Sequence, residues 1–188
     1  MSRPELRFVI VNNGRTGSTL LVNLLHSHPD IQCAEEIFNE SRWQDARRPL
    51  GWLVRAFPTP YLTWLAGHAT KAAFGFKLKT GGQVYNLERT LHALHRRGWR
   101  LVYLSRRDAL EQTFSWSVAQ ASGCWQSRSD RHIPKPAHIR LDVEQFLRNL
   151  HTCVQDRQHL ASLLRKLPHL ALVYEDDLQH STQWPATG

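Results

Sequence analysis

The sequence predicts one α/β domain of three layers, in which helices cover both faces of a central parallel sheet. Short apolar runs that suit buried strands alternate along the chain with segments of helical periodicity. No linker divides the 188 residues, and a chain of that length suits a single substantial core. Strands that alternate with helices favour right-handed crossovers, and therefore a parallel sheet that is buried on both sides.

The strands and helices are predicted in alternating order. Strands are expected at Phe8–Asn12, Ile31–Ala34, Phe74–Leu78, Arg100–Ser105 and Leu170–Tyr174. Helices are expected at Ser18–His26, Asn86–Arg97, Asp108–Gln120 and Asp142–Leu167, with short helices within Pro49–Ala73. Asp108 and Asp142 suit N-caps, and Gly98 suits the end of a helix. The segment Glu36–Arg47 is expected to begin as a loop that can continue as a helix, and Ser122–Ile139 is polar and irregular.

The composition of the chain indicates which kinds of partner and which cellular compartment to expect. The formal net charge of +8 favours an anionic partner, which by charge alone includes nucleic acid, a membrane surface and a phosphorylated small ligand. Three widely spaced cysteines predict neither a disulfide framework nor a zinc site, and fit a reducing cytoplasm. No apolar run is long enough for a membrane span, and we expect no secretory signal.

One turn carries the clearest chemical signal. Phe8–Asn12 leads into Asn13-Gly14-Arg15-Thr16-Gly17-Ser18-Thr19, and an apolar helix follows at once. Such a turn directs backbone N–H groups and a helix N-terminus toward one point, which suits phosphate or sulfate. The turn resembles a P-loop, but Ser18 follows the second glycine where a P-loop NTPase has lysine. A plain strand-to-helix turn capped by Ser18 or Thr19 is the alternative.

Two other strand ends are expected at the same edge of the sheet, because ligands of parallel sheets lie at the carboxyl ends of strands. Glu35 and Glu36 follow the second strand, and Ser105-Arg106-Arg107-Asp108 leads into the helix that bears Ser115 and Trp116. An anion-binding turn, an acidic pair and a second basic corner predict a ligand with two separated phosphate-like groups, and a base close to one of them.

These motifs resemble those of sulfotransferases that use 3′-phosphoadenosine-5′-phosphosulfate (PAPS), nearest to the bacterial carbohydrate type, such as the trehalose and nodulation-factor enzymes. Residues 14–21 match the 5′-phosphosulfate loop, and Tyr103–Asp108 with Ser115, eight residues after Arg107, match the 3′-phosphate motif. Glu35-Glu36-Ile37-Phe38 resembles the stretch that carries a catalytic glutamate, at Glu36. Phe74–Lys77 and Val173–Asp176 also look like strands of this family, and the resemblance covers residues 7–178.

The resemblance implies a P-loop-like, sulfotransferase-like domain over residues 1–188, with PAPS as co-substrate, no metal, and a hydroxyl of a carbohydrate or glycolipid as acceptor. It assigns the 5′-phosphate and its bridging oxygen to the Arg15 side chain and the N–H groups of Thr16, Gly17, Ser18 and Thr19. It assigns the 3′-phosphate to Arg107 and Ser115, and it makes Glu36 the general base. Neither nucleic acid nor stable membrane insertion is implied.

Several alternatives stay open. Glu35 competes with Glu36, and His26 or His28 is a lesser candidate for the base. Arg106 is expected to be a solvated charge. Lys77 and Lys79 contact sulfate or substrate, or form a solvated strand end. The aromatic residues of Trp52–Trp64, with Trp43 and Trp125, either stack on sugar faces or, for most of them, pack in the core or a lid. The acceptor and the oligomeric state are not indicated.

Only ten residues follow Leu178, where the family continues with a further helix and a segment that closes over the donor. We therefore expect a truncated member, with the acidic strand end Tyr174–Leu178 longer by one aspartate. A non-catalytic nucleotide- or nucleic-acid-binding module and a P-loop kinase-like phosphotransferase are the competing functions.

Overall fold

The computed structural model describes residues 4–38, 58–80, 86–125 and 138–179. The strands in these ranges are β1 (Leu6–Asn12), β2 (Ile31–Glu36), β3 (Ala73–Lys79), β4 (Arg100–Ser105) and β5 (His169–Val173). The helices are α1 (Ser18–Ser27), α2 (Pro58–Gly67), α3 (Leu87–Arg96), α4 (Ala109–Ser122) and α5 (Val143–Leu164). A π-helical turn, Tyr174–Leu178, follows β5.

The five strands form one parallel sheet in the order β2-β3-β1-β4-β5. Strand β1 lies at its centre, paired with β3 on one side and β4 on the other. This arrangement confirms the predicted three-layer α/β domain with a central parallel sheet.

Alternate residues of β1 supply two separate apolar layers, as the period of a strand requires. Phe8 and Ile10 pack with α1 on one face of the sheet. Val9 and Val11 pack with α2, α3 and α5 on the other face. Strand β1 leads into α1 on one face, whereas β4 leads into α4, which packs against α5 of the other face. A crevice therefore opens between the carboxyl ends of these two neighbouring strands.

Local signals explain most helix boundaries. The Asp108 side chain accepts hydrogen bonds from Leu110 N and Glu111 N, and Asp142 accepts one from Gln145 N, so both predicted N-caps are confirmed. Asn86, predicted as the first helical residue, instead caps α3 through Arg89 N. Gly98 follows α3 with a φ of 80°, a left-handed conformation that glycine adopts without steric cost.

Strands β2 and β5 end at other residues than the sequence predicts, and both differences affect the site. Strand β2 continues through Glu36, whereas the sequence predicts its end at Ala34. Strand β5 ends at Val173, and Tyr174 begins the π-helical turn, whose Asp177 side chain accepts a hydrogen bond from Val173 N at 2.6 Å. A side chain that bonds the backbone four residues earlier competes with continued strand structure.

Parts of several predictions lie outside the described residues. They are Glu36–Arg47 from residue 39 onward, Pro49–Ala73 before residue 58 and Ser122–Ile139 between 126 and 137. The described part of Pro49–Ala73 contains the single helix α2, and the segment ends at the first residue of β3. Trp43, Trp52 and the last nine residues are also outside the described ranges.

Candidate functional site

The turn between β1 and α1, residues 13–17, is called the anion loop here because of its backbone. Gly14, Arg15 and Gly17 have φ values of 80°, 54° and 79°. A left-handed conformation at a residue with a Cβ costs about 1 kcal/mol, and such strain is concentrated at functional sites. The buried Asn12 side chain supports the turn, since its Oδ1 accepts a hydrogen bond from Gly14 N at 2.9 Å and its Nδ2 donates to Leu78 O at 3.3 Å.

The N-terminus of α1 has no side-chain cap. Its N-cap is Gly17, and not Ser18 or Thr19 as the plain-turn alternative requires. The first bond of the helix runs from Leu21 N to Gly17 O at 3.1 Å, so the N–H groups of Ser18 and Thr19 precede it. Thr16 is fully buried beside them, and its Oγ1 has no hydrogen-bond partner among the residues that the structure describes. Donors and helix dipole converge on a place that suits an anion.

Arg15 joins the two predicted phosphate motifs. Its Nε and Nη2 lie 3.0 and 2.9 Å from Ser115 Oγ, across 100 residues of sequence, and its Nη1 donates to Trp125 O at 2.7 Å. The Ser115 oxygen accepts both N–H groups, which leaves its O–H to donate elsewhere. Burial, and then the charge of Arg106, lower the pKa of Arg15. An anion bound at the loop would offset both the burial of Arg15 and the repulsion from Arg106.

Arg106 is not the solvated charge that the sequence predicts. Its side chain is only 15% exposed, and it contacts Arg15 O through Nη1 at 3.4 Å. The Tyr174 ring covers it, 4.8 Å from the guanidinium carbon. The prediction is wrong because the turn after β5 folds over this arginine. Arg106 thus supports the anion loop from the β4 side, and it also pairs with Glu111 and Glu175.

Arg107 lies at the same edge of the sheet, but its side chain is 65% exposed and pairs with Asp176. Its backbone is fixed, because Arg107 N donates to Glu175 Oε2 at 2.8 Å and its carbonyl oxygen accepts from Arg157 Nη1 at 3.3 Å. The structure gives Arg107 no contact with Ser115 among the described hydrogen bonds. Its role toward a 3′-phosphate stays a prediction.

The acidic pair lies on the other side of the anion loop. A cleft of about 280 Å³, called the acid-side cleft, extends between Glu36 and the loop. Its lining residues are Gly14, Arg15, Ser18, Thr19, Glu36, Lys77, Lys79 and Trp125. Lys77 is 2% exposed and pairs with Glu35, so the alternative of a solvated strand end is wrong for this lysine.

A second cleft of about 340 Å³, called the helix-side cleft, shares Gly14, Arg15 and Lys79 with the first and extends between α4 and α5. Sequence reasoning missed Gln112, whose Nε2 donates to Gly14 O at 2.6 Å and whose buried Oε1 has no partner in the described ranges. Gln112 precedes Ser115 by three residues, and this helical spacing places both side chains on one face of α4. The same spacing could have identified Gln112 as a candidate from the sequence.

The histidines considered as a base lie at the opposite edge of the sheet. His26 and His28 are at the carboxyl end of α1, where their Nδ1 atoms accept from Cys33 N at 3.4 Å and Asp30 N at 3.2 Å. A helix of 10 residues separates them from the anion loop by about 15 Å. They therefore cannot act on a group bound at the loop.

Cysteine chemistry finds no support at these clefts. Burial raises the pKa of Cys33 to about 12, helped by Glu35 and opposed by Lys77. Burial also raises the pKa of Cys153 in the helix-side cleft. A thiol is nucleophilic as the thiolate, so both cysteines are disfavoured as nucleophiles. All three cysteines are free thiols.

Within the described ranges, no three His, Cys, Asp or Glu side chains are grouped as metal ligands. None of the helices in those ranges has both the length and the apolar character that a bilayer crossing requires.

No protein-family model matches the chain, and no curated protein matches its sequence. Among solved structures, the chain is similar to the crystal structure of TT1252 from Thermus thermophilus, with 13% identity and a TM-score of 0.44. The match covers 92% of this chain and 89% of that one.

Proposed function

We propose that this protein is a PAPS-dependent sulfotransferase that moves a sulfuryl group to a hydroxyl of a carbohydrate or glycolipid acceptor in the cytoplasm. The observation that carries the proposal is the pair of hydrogen bonds between Arg15 and Ser115. They join the two motifs expected at the 5′ and 3′ ends of the donor into one basic rim. A ligand with a single phosphate would need only the anion loop.

The residues present suit both ends of such a donor. At the 5′ end, the uncapped N–H groups from Thr16 to Thr19, the unpartnered Thr16 hydroxyl and Arg15 provide donors for phosphate oxygens. At the 3′ end, the Ser115 O–H is free to donate, and the exposed Arg107 can leave Asp176 for a phosphate at small cost. A 3′-phosphate site is what would separate this donor from ATP.

Catalysis of sulfuryl transfer depends mainly on positioning the two substrates and on stabilising the charge of the transition state. Sulfuryl transfer resembles phosphoryl transfer, with in-line attack and a loose transition state. The acceptor oxygen forms a bond to sulfur while the bond from sulfur to the bridging oxygen breaks. Arg15 and the loop N–H groups would stabilise the negative charge that grows on that bridging oxygen. Glu36, at the wall of the acid-side cleft, would take the proton of the acceptor hydroxyl.

The kinase-like alternative has less support in the described residues. The carboxylate that follows β4, Asp108, caps α4 through two backbone N–H groups. Strand β3, the other neighbour of β1, ends with Lys77 and Lys79 near the anion loop. Neither strand end offers the free aspartate that a P-loop kinase uses to hold magnesium.

Thermal unfolding with different ligands tests the proposal. Adenosine 3′,5′-bisphosphate at 100 times its Kd should stabilise the protein by about 2.7 kcal/mol. Adenosine 5′-monophosphate, ATP with Mg²⁺ and an RNA oligonucleotide should stabilise it much less. An equal response to ATP or to RNA would contradict the proposal in favour of a kinase-like or nucleic-acid-binding protein.

A matched pair of serine variants locates the 3′ site. Ser115→Ala should weaken binding of the bisphosphate more than binding of the monophosphate, because both ligands lose the support that Ser115 gives to Arg15 but only the bisphosphate also loses the 3′ contact. Ser117→Ala is the control, because Ser117 lies on the same helix and its Oγ donates to Thr113 O. Transfer of radiolabelled sulfate from PAPS to a panel of sugars then tests the reaction itself.

A further inference from the structure

Lys77 is a charged residue buried beneath the acid-side cleft. Its side chain is 3% exposed, Nζ donates to Thr19 Oγ1 at 3.1 Å, and it pairs with Glu35. Glu36 Oε1 lies 3.8 Å from the same nitrogen. A buried ammonium group costs several kcal/mol unless charged and polar partners surround it. One lysine therefore connects the N-terminus of α1 with both members of the acidic pair.

A β-bulge in β2 makes this arrangement possible. Ala34 pairs with Phe76 and Glu36 pairs with Lys77, so two successive residues of β3 face three residues of β2. Consecutive side chains of a regular strand point to opposite faces, which would separate Glu35 from Glu36. The extra residue re-aims the side chains, and both carboxylates approach Lys77.

The two carboxylates nevertheless have different surroundings. Glu36 lines the acid-side cleft, and Glu35 is not among the lining residues. Glu35 is the closer partner of Lys77 and also acts on the buried Cys33, whose pKa it helps to raise after burial itself. Glu35 thus neutralises the lysine, and Glu36 faces the space where an acceptor would bind.

We infer that Lys77 is a positioning residue, which binds Glu35 and the Thr19 hydroxyl together and so holds Glu36 as the carboxylate that meets the acceptor beside the anion loop. This inference rests on the proposed sulfuryl transfer, and it deepens it by separating the roles of Glu35 and Glu36. Because Thr19 belongs to the first turn of α1, the same lysine sets the spacing between the anion loop and the base.

The test compares Lys77→Met, Glu35→Gln and the double variant Lys77→Met/Glu35→Gln. Each single variant leaves one partly or fully buried charge without its partner and should lower the Tm. The double variant removes both charges and should recover most of the loss. Its kcat should stay about 100-fold low, because a base displaced by about 1 Å loses that much. The KM for the acceptor should change little.

Lys71→Met is the matched control. Lys71 lies between α2 and β3, and within the described part of the chain its Nζ donates to the carbonyl oxygens of His28 and Ile31, at the opposite edge of the sheet. This variant should keep the wild-type kcat.

Affinity for adenosine 3′,5′-bisphosphate, measured by calorimetry, adds a readout that needs no turnover. The double variant should bind it about tenfold more weakly, because Thr19 loses its hydrogen-bond partner. Glu36→Gln should bind it as the wild type does.

The kinetic and binding results distinguish failure of the inference about Lys77 from failure of the proposed function. A double variant with wild-type kcat and affinity would make Lys77 a purely structural residue and overturn the inference. An inactive Glu35→Gln beside an active Glu36→Gln would reverse the two roles. A wild-type protein that neither binds the bisphosphate nor transfers sulfate would instead reject the proposed function, whereas an active wild type whose double variant keeps the wild-type kcat would reject the role of Lys77 alone.

Discussion

The two sides of the anion loop handle charge in different ways. On the β3 side, the Lys77 side chain is only 3% exposed and contacts the Thr19 hydroxyl and the carboxylates of Glu35 and Glu36, which are each 31% exposed. On the β4 side, Arg107 and Asp176 form a pair with side chains 65% and 53% exposed. Breaking a buried pair costs about 3–5 kcal/mol, whereas an exposed pair contributes about 0–1 kcal/mol.

This contrast suits two different tasks. A base must stay within a fraction of an ångström of its working position, and a buried network holds it there. A residue that binds a phosphate must instead give up its partner when the ligand arrives, and a solvated pair allows this at little cost. The rigid side would therefore serve proton transfer, and the adaptable side would serve recognition of the donor.

The largest effect is expected for Glu36→Gln on the rigid side. Loss of a general base should lower kcat by about 10²–10⁴-fold, while affinity for adenosine 3′,5′-bisphosphate changes little. Steady-state kinetics and calorimetry measure the two quantities, with Glu88→Gln on α3 as the control. A fully active Glu36→Gln enzyme would move the role to Glu35.

Gly17→Ala should damage the anion loop that both sides share. The φ of 79° is unfavourable for alanine, and the added Cβ would overlap the Tyr174 ring. We expect destabilisation of about 1–3 kcal/mol and loss of bisphosphate binding. Urea unfolding measures the destabilisation. The control is Gly67→Ala, whose added Cβ would meet no atom within 4 Å. Equal stability of the two variants would show that the ring moves freely.

Arg106→Gln and Arg107→Gln compare a covered and an exposed arginine on the β4 side. Arg106→Gln should cost about 1–2 kcal/mol, since it loses the contacts with Tyr174 and with Arg15 O. Arg107→Gln should cost less than about 1 kcal/mol but weaken binding of the bisphosphate more than of the monophosphate. If Arg107→Gln binds both nucleotides normally, the 3′-phosphate must be held by other residues.

The smallest effect concerns acid stability at the end of β5. Burial raises the pKa of Glu175, but hydrogen bonds from Arg107 N and Asp108 N and the charge of Arg106 outweigh it, so the net pKa is lowered. A lowered carboxyl pKa gives stability that is complete above the unfolded value near 4.5 and is lost as the pH falls through the folded value.

Glu175→Gln should therefore lose stability less steeply than the wild type as the pH falls below about 4.5. Denaturant unfolding at several pH values measures the slope. The exposed Glu144→Gln on α5 should retain the wild-type dependence, and identical slopes for all three proteins would contradict the assignment.

Features that depend on neighbours in the chain can be predicted from the amino-acid sequence. Strand β4 was predicted with its observed bounds, and the caps Asp108 and Asp142 follow from side chains that bond N–H groups two or three residues ahead. The anion loop is equally local, because glycine spacing and the start of a helix produce it.

The different surroundings of adjacent residues, Arg106 beside Arg107 and Glu35 beside Glu36, follow from tertiary contacts. Arg106 is covered because Tyr174, 68 residues later, folds over it, and Glu36 reaches the cleft because β2 pairs with β3 through a bulge. The spacing to Ser115 favours Arg107 over Arg106 as the phosphate-binding residue, and the sequence does not distinguish Glu35 from Glu36 as the base. The physical reason is that burial and ion pairing depend on which distant strands become neighbours, and the pattern within one segment carries no record of that choice.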